Sequence, residues 1–329
     1  MSTTGPLRWG ILGAGYIAGE FAKDFRFMQH AELVAVAASD IGRAKQFAAQ
    51  YDIPHAYDYA QLYASPEVDA VYIATTHNFH AEQAAACLRS GKAVLCEKPI
   101  TINLQEFQLL RNIARENNVF LMEAMWTWFL PALRQAKTWL QEGRIGKLKM
   151  IQADFSFAVE YKPQGRLFNR NLAGGSLLDI GIYPIAMATF LTDRYPSAIQ
   201  SSASFTDTGV DERVGMLLEY GQCLGILSAS IGTRMTNHLR IFGETGAIEI
   251  PEFWKARTAT LFDKEYRQVE VFQDDRPSRG FIFEMQEAND RILSGHKESA
   301  VVPLERSLWL QQIMQEVRRQ IGLRYPSEV

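Results

Sequence analysis

The chain has 329 residues and a formal net charge of −3, with 47% of it apolar and 22% charged. That length suffices for about two domains with cores of their own, and the composition is that of a folded chain rather than a disordered one. The slightly acidic balance, with no basic run, excludes a nucleic-acid partner, whose phosphates require clustered cations.

Residues 1–10 hold a single arginine and no long apolar stretch. No secretory leader is expected there, and a cytoplasmic protein is. Leu7–Leu12 reads as a short apolar strand that runs into Gly13-Ala14-Gly15-Tyr16-Ile17-Ala18 and then a helix over Gly19–Met28. A dinucleotide-binding turn requires this order. Gly13 makes the tight turn, and Gly15 lets the backbone approach a pyrophosphate. Tyr16 and Ile17 stand where the helix N–H groups face the anion, and Ala18 permits close packing of helix on strand. Apolar runs at Leu33–Ala38, His55–Tyr57, Ala70–Ala74, Ala93–Cys96 and Val119–Met122 predict further strands. Helices are predicted between them over Arg43–Tyr51, Tyr59–Ala64, His80–Ser90 and Leu104–Asn117. Alternation of this kind predicts a parallel sheet covered on both faces.

The pattern changes after Glu123. A boundary is expected within residues 123–131, giving domains 1–124 and 125–329. Pro131–Glu142 predicts a helix closed by Gly143. Leu148–Val159 predicts a long strand with Ile151, Ala153, Phe155, Phe157 and Val159 on one face. Alternation recurs at Ile199–Phe205, Val214–Tyr220, Leu224–Ile231 and His238–Phe242, as in an antiparallel sheet. Leu177–Leu191 and Phe281–Leu293 predict helices covering one face of it, and Leu304–Gln320 predicts a closing helix. The other face carries Gln200, Ser202, Ser204, Ser228 and Ser230. It is either solvated or meets its own copy in a homodimer. No run reaches the ~18 apolar residues of a membrane span, so no membrane partner is expected. Cys87, Cys96 and Cys223 show no C-x-x-C spacing, which argues against a disulfide framework or structural zinc.

Candidate site residues gather at predicted strand ends, where ligands bind in a doubly wound sheet. A second strand ending at Ala38 leaves no carboxylate to grip an adenosine ribose. Ser39 and Arg43 would instead suit a 2′-phosphate, hence NADP; one step of register would make Asp40 a ribose ligand and allow NAD. After the fourth strand, Thr75, Thr76, His77, Asn78 and His80 are expected to hydrogen-bond the cofactor, and Thr76 or Asn78 could also cap the next helix. His77 and His80 have no further ligands nearby, so no metal is expected. The fifth strand ends in Glu97-Lys98-Pro99, which sets a lysine at the same edge, stiffened by the proline. Past the boundary, Gly174-Gly175 opens a helix with Ser176 and Asp179 as a capping pair. Asp179 and Tyr183 stand one helical turn apart, and Pro184 marks irregular geometry.

In order and spacing, the glycine turn, Glu97-Lys98-Pro99 and Asp179-x-Gly181-x-Tyr183 resemble the glucose–fructose oxidoreductase/inositol dehydrogenase (Gfo/Idh/MocA) family along nearly the whole chain. Tyr183 replaces that family's usual histidine. With Glu123-Ala124-Met125-Trp126-Thr127, it is similar to the branch of dihydrodiol dehydrogenases and NADP-dependent D-xylose dehydrogenases. Trp128 departs from that branch, which usually has arginine there, beside the expected nicotinamide and substrate region. The resemblance implies an α/β fold: an N-terminal Rossmann domain and a C-terminal α/β domain with a large, mostly antiparallel sheet. It implies an NAD(P)-linked enzyme that oxidises a hydroxyl, or reduces a carbonyl, of a sugar or cyclic diol. It places Lys98 and Tyr183 as acid and base with Asp179 in support, Glu97 and Lys98 beside the cofactor, and Trp126 and Phe155 in the substrate pocket with Asp179 and Tyr183.

The chemistry stands on its own terms. A tyrosine titrating near pH 10 is a poor base at neutrality, and a neighbouring ammonium corrects this by favouring phenolate. Two other readings stay open: internal redox with a cofactor that never leaves, and a non-catalytic dinucleotide sensor.

Overall fold

The computed structural model describes residues 5–326. The chain alternates β1 (Leu7–Leu12), α1 (Tyr16–Phe25), β2 (Ala31–Ala37), α2 (Ile41–Gln50), β3 (His55–Tyr57), α3 (Tyr59–Ala64), β4 (Ala70–Ile73), α4 (His77–Arg89), β5 (Ala93–Glu97), α5 (Leu104–Glu116) and β6 (Leu121–Ala124). All six strands pair in parallel in the order β3-β2-β1-β4-β5-β6. Between β1 and β4 the strand order reverses, and the glycine turn after β1 stands at this switch point. Strands β4, β5 and β6 are buried along their whole length. That explains why their sequences run apolar instead of alternating.

The rest of the chain adds α6 (Pro131–Gln141), β7 (Leu148–Ser156), α7 (Ile182–Thr192), β8 (Ala198–Phe205), β9 (Asp211–Tyr220), β10 (Cys223–Ser230), β11 (Leu239–Gly243), β12 (Gly246–Ile250), β13 (Thr258–Asp263), β14 (Gln268–Gln273), α8 (Phe281–Leu293) and α9 (Leu304–Ile321). The eight strands form one sheet in the order β14-β13-β12-β11-β7-β10-β9-β8. Every pairing is antiparallel except β7 with β10. Strand β9 alternates buried and open residues almost without a break, as one covered face requires. The expected α/β class with a parallel and a mostly antiparallel sheet is what the chain adopts.

Two compact units result: the chain up to Trp126 together with Arg276–Leu308, and Thr127–Asp275 together with the chain from Trp309 on. The expected division at residue 124 therefore misses one segment. Helix α8 was expected to cover the antiparallel sheet, but it packs in the first unit. The buried Asp24 carboxylate accepts from the backbone N–H groups of Arg279, Gly280 and Phe281 at 2.9, 2.9 and 3.0 Å, which caps α8. Trp9 Nε1 donates to Asn289 Oδ1 at 3.0 Å, which fixes α8 to the start of β1.

Other expectations also change. Strand β7 stops at Ser156, so Phe157 and Val159 leave the buried face and are 36% and 38% exposed. On the β11 side, Asn237 Oδ1 takes the Ser156 N–H at 2.8 Å in place of a strand carbonyl. The segment Arg170–Thr192 does reach the length and apolarity of a membrane span, contrary to expectation. That segment is buried throughout, and α7 is the core helix of the second unit, with Ile182 to Leu191 all buried. Strands β12, β13 and β14 were not expected at all.

Candidate active site

In the first unit the turn after β1 is built for an anion. Gly13 has φ +109°, and a Cβ there would sit 2.8 Å from the Ala74 carbonyl oxygen. Only glycine fits that position. A Cβ at Gly15 would meet nothing, so the backbone is open at that point. Helix α1 begins at Tyr16 with no side chain capping its N-terminus. Its first N–H groups are thus left for a ligand. Tyr16 is 80% exposed at the rim. Ile17 is half-buried, and Ala18 is fully buried under the sheet. These features fit a dinucleotide pyrophosphate.

Strand β2 ends at Ala37, and helix α2 begins earlier than expected, at Ile41. Asp40 is its cap, accepting the Arg43 N–H at 2.8 Å. One of its carboxylate oxygens, Oδ1, is thus engaged by the helix. Arg43 reaches back over the glycine turn, its Nη2 donating to the Ala14 carbonyl at 3.3 Å. Ser39 is exposed beside it.

Helix α4 begins at His77, not His80, so His77, Asn78 and His80 lie in its first turn. Thr76 is the N-cap without a capping side chain; its hydroxyl donates to Asn78 Oδ1 at 2.8 Å. Thr75 Oγ1 donates to Gln83 Oε1 at 2.6 Å. His80 needs correction as a cofactor contact. It is fully buried, with Nδ1 2.8 Å from the Pro99 carbonyl and Nε2 3.1 Å from the Thr75 carbonyl. Both ring edges face backbone, so it braces the loop after β4 against the segment after β5. Burial and the Lys98 charge hold its pKa below the ordinary histidine value.

Lys98 stands half-buried past the end of β5. Glu97 before it is buried; it accepts from the Tyr72 hydroxyl at 2.5 Å and from the Lys98 N–H at 3.1 Å. Glu123, at the end of β6 alongside, accepts the Ile100 N–H at 2.9 Å. Trp126 is buried and stacks on Phe281 of α8, with ring centroids 4.6 Å apart.

In the second unit the segment before α7 is not a plain helix. Leu177–Gly181 forms a π-turn, with the Ile182 N–H reaching back to the Leu177 carbonyl. Pro184 has no N–H to give to the i−4 carbonyl, and a wide turn absorbs that loss. Ser176 and Asp179 do not form the expected capping pair. Asp211 takes that place, accepting from Ser176 Oγ at 2.7 Å and the Leu177 N–H at 2.6 Å. Asp179 instead meets Arg166, with Nη1 to Oδ1 at 2.9 Å and Nη2 to Oδ2 at 3.5 Å. Tyr183 is buried, edge-on to Phe155 at 5.1 Å and 80°. Phe155 also stacks with Trp254 at 5.2 Å.

Trp128 is a core residue, not a pocket wall. It is 2% exposed, donates from Nε1 to the Ala186 carbonyl at 3.1 Å and packs on Phe190. The sequence reading missed Arg166, Trp254 and the pairing of Phe281 with Trp126. The periodicity of Phe281–Leu293 predicts Phe281 only as the start of a covering helix. The Gly174-Gly175 pair was a signal for Arg166, since adjacent glycines mark close backbone crossings.

Three fully buried carboxyls have raised pKa values. Burial pushes Glu123 up to about 7 and Asp211 up to about 6, and it pushes Glu284 well above the usual carboxylate range. Each of these acids binds a proton more tightly folded than unfolded, so stability is lost as pH rises from ~4 through these values. We expect the urea midpoint to fall between pH 5 and pH 8, and Glu123→Gln to flatten that fall while keeping the acceptor for Ile100. A midpoint that rises over this range would contradict the assignment.

Residues 7–125 match the family model described as "Oxidoreductase family, NAD-binding Rossmann fold", and residues 133–249 match the GFO/IDH/MocA C-terminal domain. The chain is 36% identical to trans-1,2-dihydrobenzene-1,2-diol dehydrogenase of Mus musculus, covering 98% of this chain and 99% of that protein. It is 35% identical to the enzyme of the same name from Homo sapiens, with the same coverage. Among solved structures, a 3-ketoreductase from Actinomadura kijaniata, in complex with NADP and TDP-benzene, superposes with TM-score 0.85 at 26% identity, covering 96% of this chain and 98% of that one. An aldose–aldose oxidoreductase from Caulobacter crescentus shares the fold with TM-score 0.87 at 24% identity, with the same coverage.

Proposed function

The chain belongs to the Gfo/Idh/MocA family of oxidoreductases, and from that premise we propose an NADP-dependent dehydrogenase/reductase acting on a hydroxyl or carbonyl of a sugar or cyclic diol. The trans-dihydrodiol and D-xylose types are the substrates to try first. Tyr183 carries the reading: its phenol lies among aromatic rings, next to a π-turn that holds a buried carboxylate. Relatives named for diol oxidation, matched over almost the whole chain, support it.

A bound nicotinamide would supply the hydride acceptor, or the donor in reverse. Gly13, Gly15 and the N–H groups at Tyr16 and Ile17 would hold its pyrophosphate. Ser39 and Arg43 would hold the 2′-phosphate that distinguishes NADP. Two facts support NADP: Arg43 lies over the glycine turn, and Asp40 is occupied as a helix cap. Thr75, Thr76, His77 and Asn78 would line the same strand end. Tyr183 would take the hydroxyl proton during oxidation and return it during reduction. Lys98 would favour its phenolate, and Asp179 would hold a second substrate hydroxyl. Trp126 and Phe155 would offer flat apolar faces to a substrate ring, as the family resemblance implies.

The antiparallel sheet leaves one face open, with Leu217 and Ile226 paired across β9 and β10 and each 38% exposed. A groove of about 440 Å³ beside them is lined by Ser202, Ser204, Gly215, Ser228 and Met235, among others. We infer that a second copy covers this face.

Three measurements follow. Tyr183→Phe should cut turnover by roughly 100-fold or more with little change in NADPH affinity; undiminished turnover would remove the phenol from the chemistry. Arg43→Ala should weaken NADP far more than NAD in fluorescence titrations, and equal weakening would overturn the cofactor preference. Light scattering should give twice the 37.2 kDa chain mass, falling to a single chain for Leu217→Glu combined with Ile226→Lys. A wild-type monomer would refute the shared face.

A further inference from the structure

Between β7 and the π-turn, residues 157–175 form no strand and only one short helical turn, Arg170–Leu172. Loops of more than about 12–15 residues without secondary structure are uncommon and usually functional. This one is held at both ends. The Phe157 and Val159 N–H groups each donate at 3.0 Å to the carbonyls of Ser230 and Ile231. The Gly175 N–H donates to the Leu167 carbonyl at 2.9 Å, and the Tyr325 hydroxyl to the Gly174 carbonyl at 2.7 Å.

The loop folds back across itself at the double glycine. A Cβ on Gly174 would stand 2.6 Å from the Arg166 carbonyl oxygen, so no other residue fits that crossing. The crossing delivers Arg166 to Asp179. The contact is two-pronged, with Nη1 to Oδ1 at 2.9 Å and Nη2 to Oδ2 at 3.5 Å. The arginine side chain is 52% exposed and the aspartate only 9%. A rigid guanidinium fork is the group best suited to fixing a carboxylate plane.

We propose that Arg166 is a positioning residue: it holds the Asp179 carboxylate as a fixed, charged acceptor for a substrate hydroxyl, and it ties the 157–175 loop to the π-turn that leads into α7 and Tyr183. This rests on the dehydrogenase reading for its functional half, since Asp179 must face substrate. The tether itself is independent of that reading.

The experiment compares Arg166→Ala, Arg166→Lys, Asp179→Asn and the Arg166→Ala/Asp179→Asn double variant. Kinetics are run with the best polyol found for the wild type. Arg166→Ala should lower kcat/KM by roughly tenfold or more, mostly through KM, with NADPH affinity within about twofold of wild type. Arg166→Lys should recover part of the loss, since it keeps charge without the fork. The double variant should be no worse than Asp179→Asn alone, because both changes break one interaction. Amide hydrogen exchange over residues 160–173 should speed up equally in Arg166→Ala and Asp179→Asn. Additive kinetic losses, or exchange unchanged in either single variant, would overturn the proposal. A wild type that turns over no polyol with either nucleotide would sink the dehydrogenase reading, and with it the functional half; exchange would still decide the tether.

Discussion

Pro184 cannot donate a backbone hydrogen bond, and the helical segment that carries it departs from regular geometry just before it. A regular helix from Ser176 onward would leave a carbonyl without its donor in the middle of a buried core. The chain instead widens into a π-turn over Leu177–Gly181, and Asp211 from the start of β9 secures its leading end. Gly181 lets this turn pack close to β10; a Cβ there would lie 3.5 Å from that of Ala229. The cost of a wide turn is offset by close packing on the sheet. The consequence is that Asp179 stands on backbone that a straight helix would place differently. Irregular helical turns recur at functional sites for this reason.

The first unit solves a different problem, that of holding several strand-end loops in one register. Parallel strands end at one edge, but their loops have no hydrogen-bond ladder to align them. Gly13 presses against the Ala74 carbonyl and so locks the first loop to the end of β4. His80 spans the next gap, from Thr75 to Pro99. The Glu123 carboxyl reaches the Ile100 N–H and closes the last one. The loops that carry Gly15, Thr75 and Lys98 are thus tied pairwise by side chains and backbone close to the edge they serve.

Much of this was legible because it is local. The strand–glycine–helix order, the Glu97-Lys98-Pro99 triplet and the Asp179–Tyr183 spacing are short-range patterns, and short-range geometry governs them. The errors have one common source. The periodicity of Phe281–Leu293 says that the helix has an apolar face, not which sheet receives it; Asp24 and Asn289 decide that across more than 250 residues of sequence. The alternation through Phe157 and Val159 continues past Ser156 although the strand does not, because Asn237, from another segment, replaces the β11 partner at Ser156. Strand β14 is open on both faces, so the alternation of Val269 and Val271 with Gln268 and Glu270 marks no buried side. Trp128 was placed beside the substrate by analogy; its burial against α7 comes from the Ala186 carbonyl accepting its indole N–H. Arg166 lies in a loop that crosses itself and has no period; the Gly174-Gly175 pair marks the crossing but not the residue it delivers.

The buried acids of the first unit fit the same division between fold and chemistry. Glu97, Glu123 and Glu284 are buried in that unit, and the charge on Glu97 helps raise the pKa of both others. A fold selected for stability alone would put apolar residues at these positions, since a buried carboxyl is costly unless neutralised. The Lys98 ammonium offsets part of that cost for Glu123, drawing its pKa back down, while it helps keep His80 neutral. The groups that feel the Lys98 ammonium include the Glu123 carboxyl and the His80 ring. The role proposed for Lys98 requires that charge, because an uncharged amine would do little to lower the pKa of a phenol.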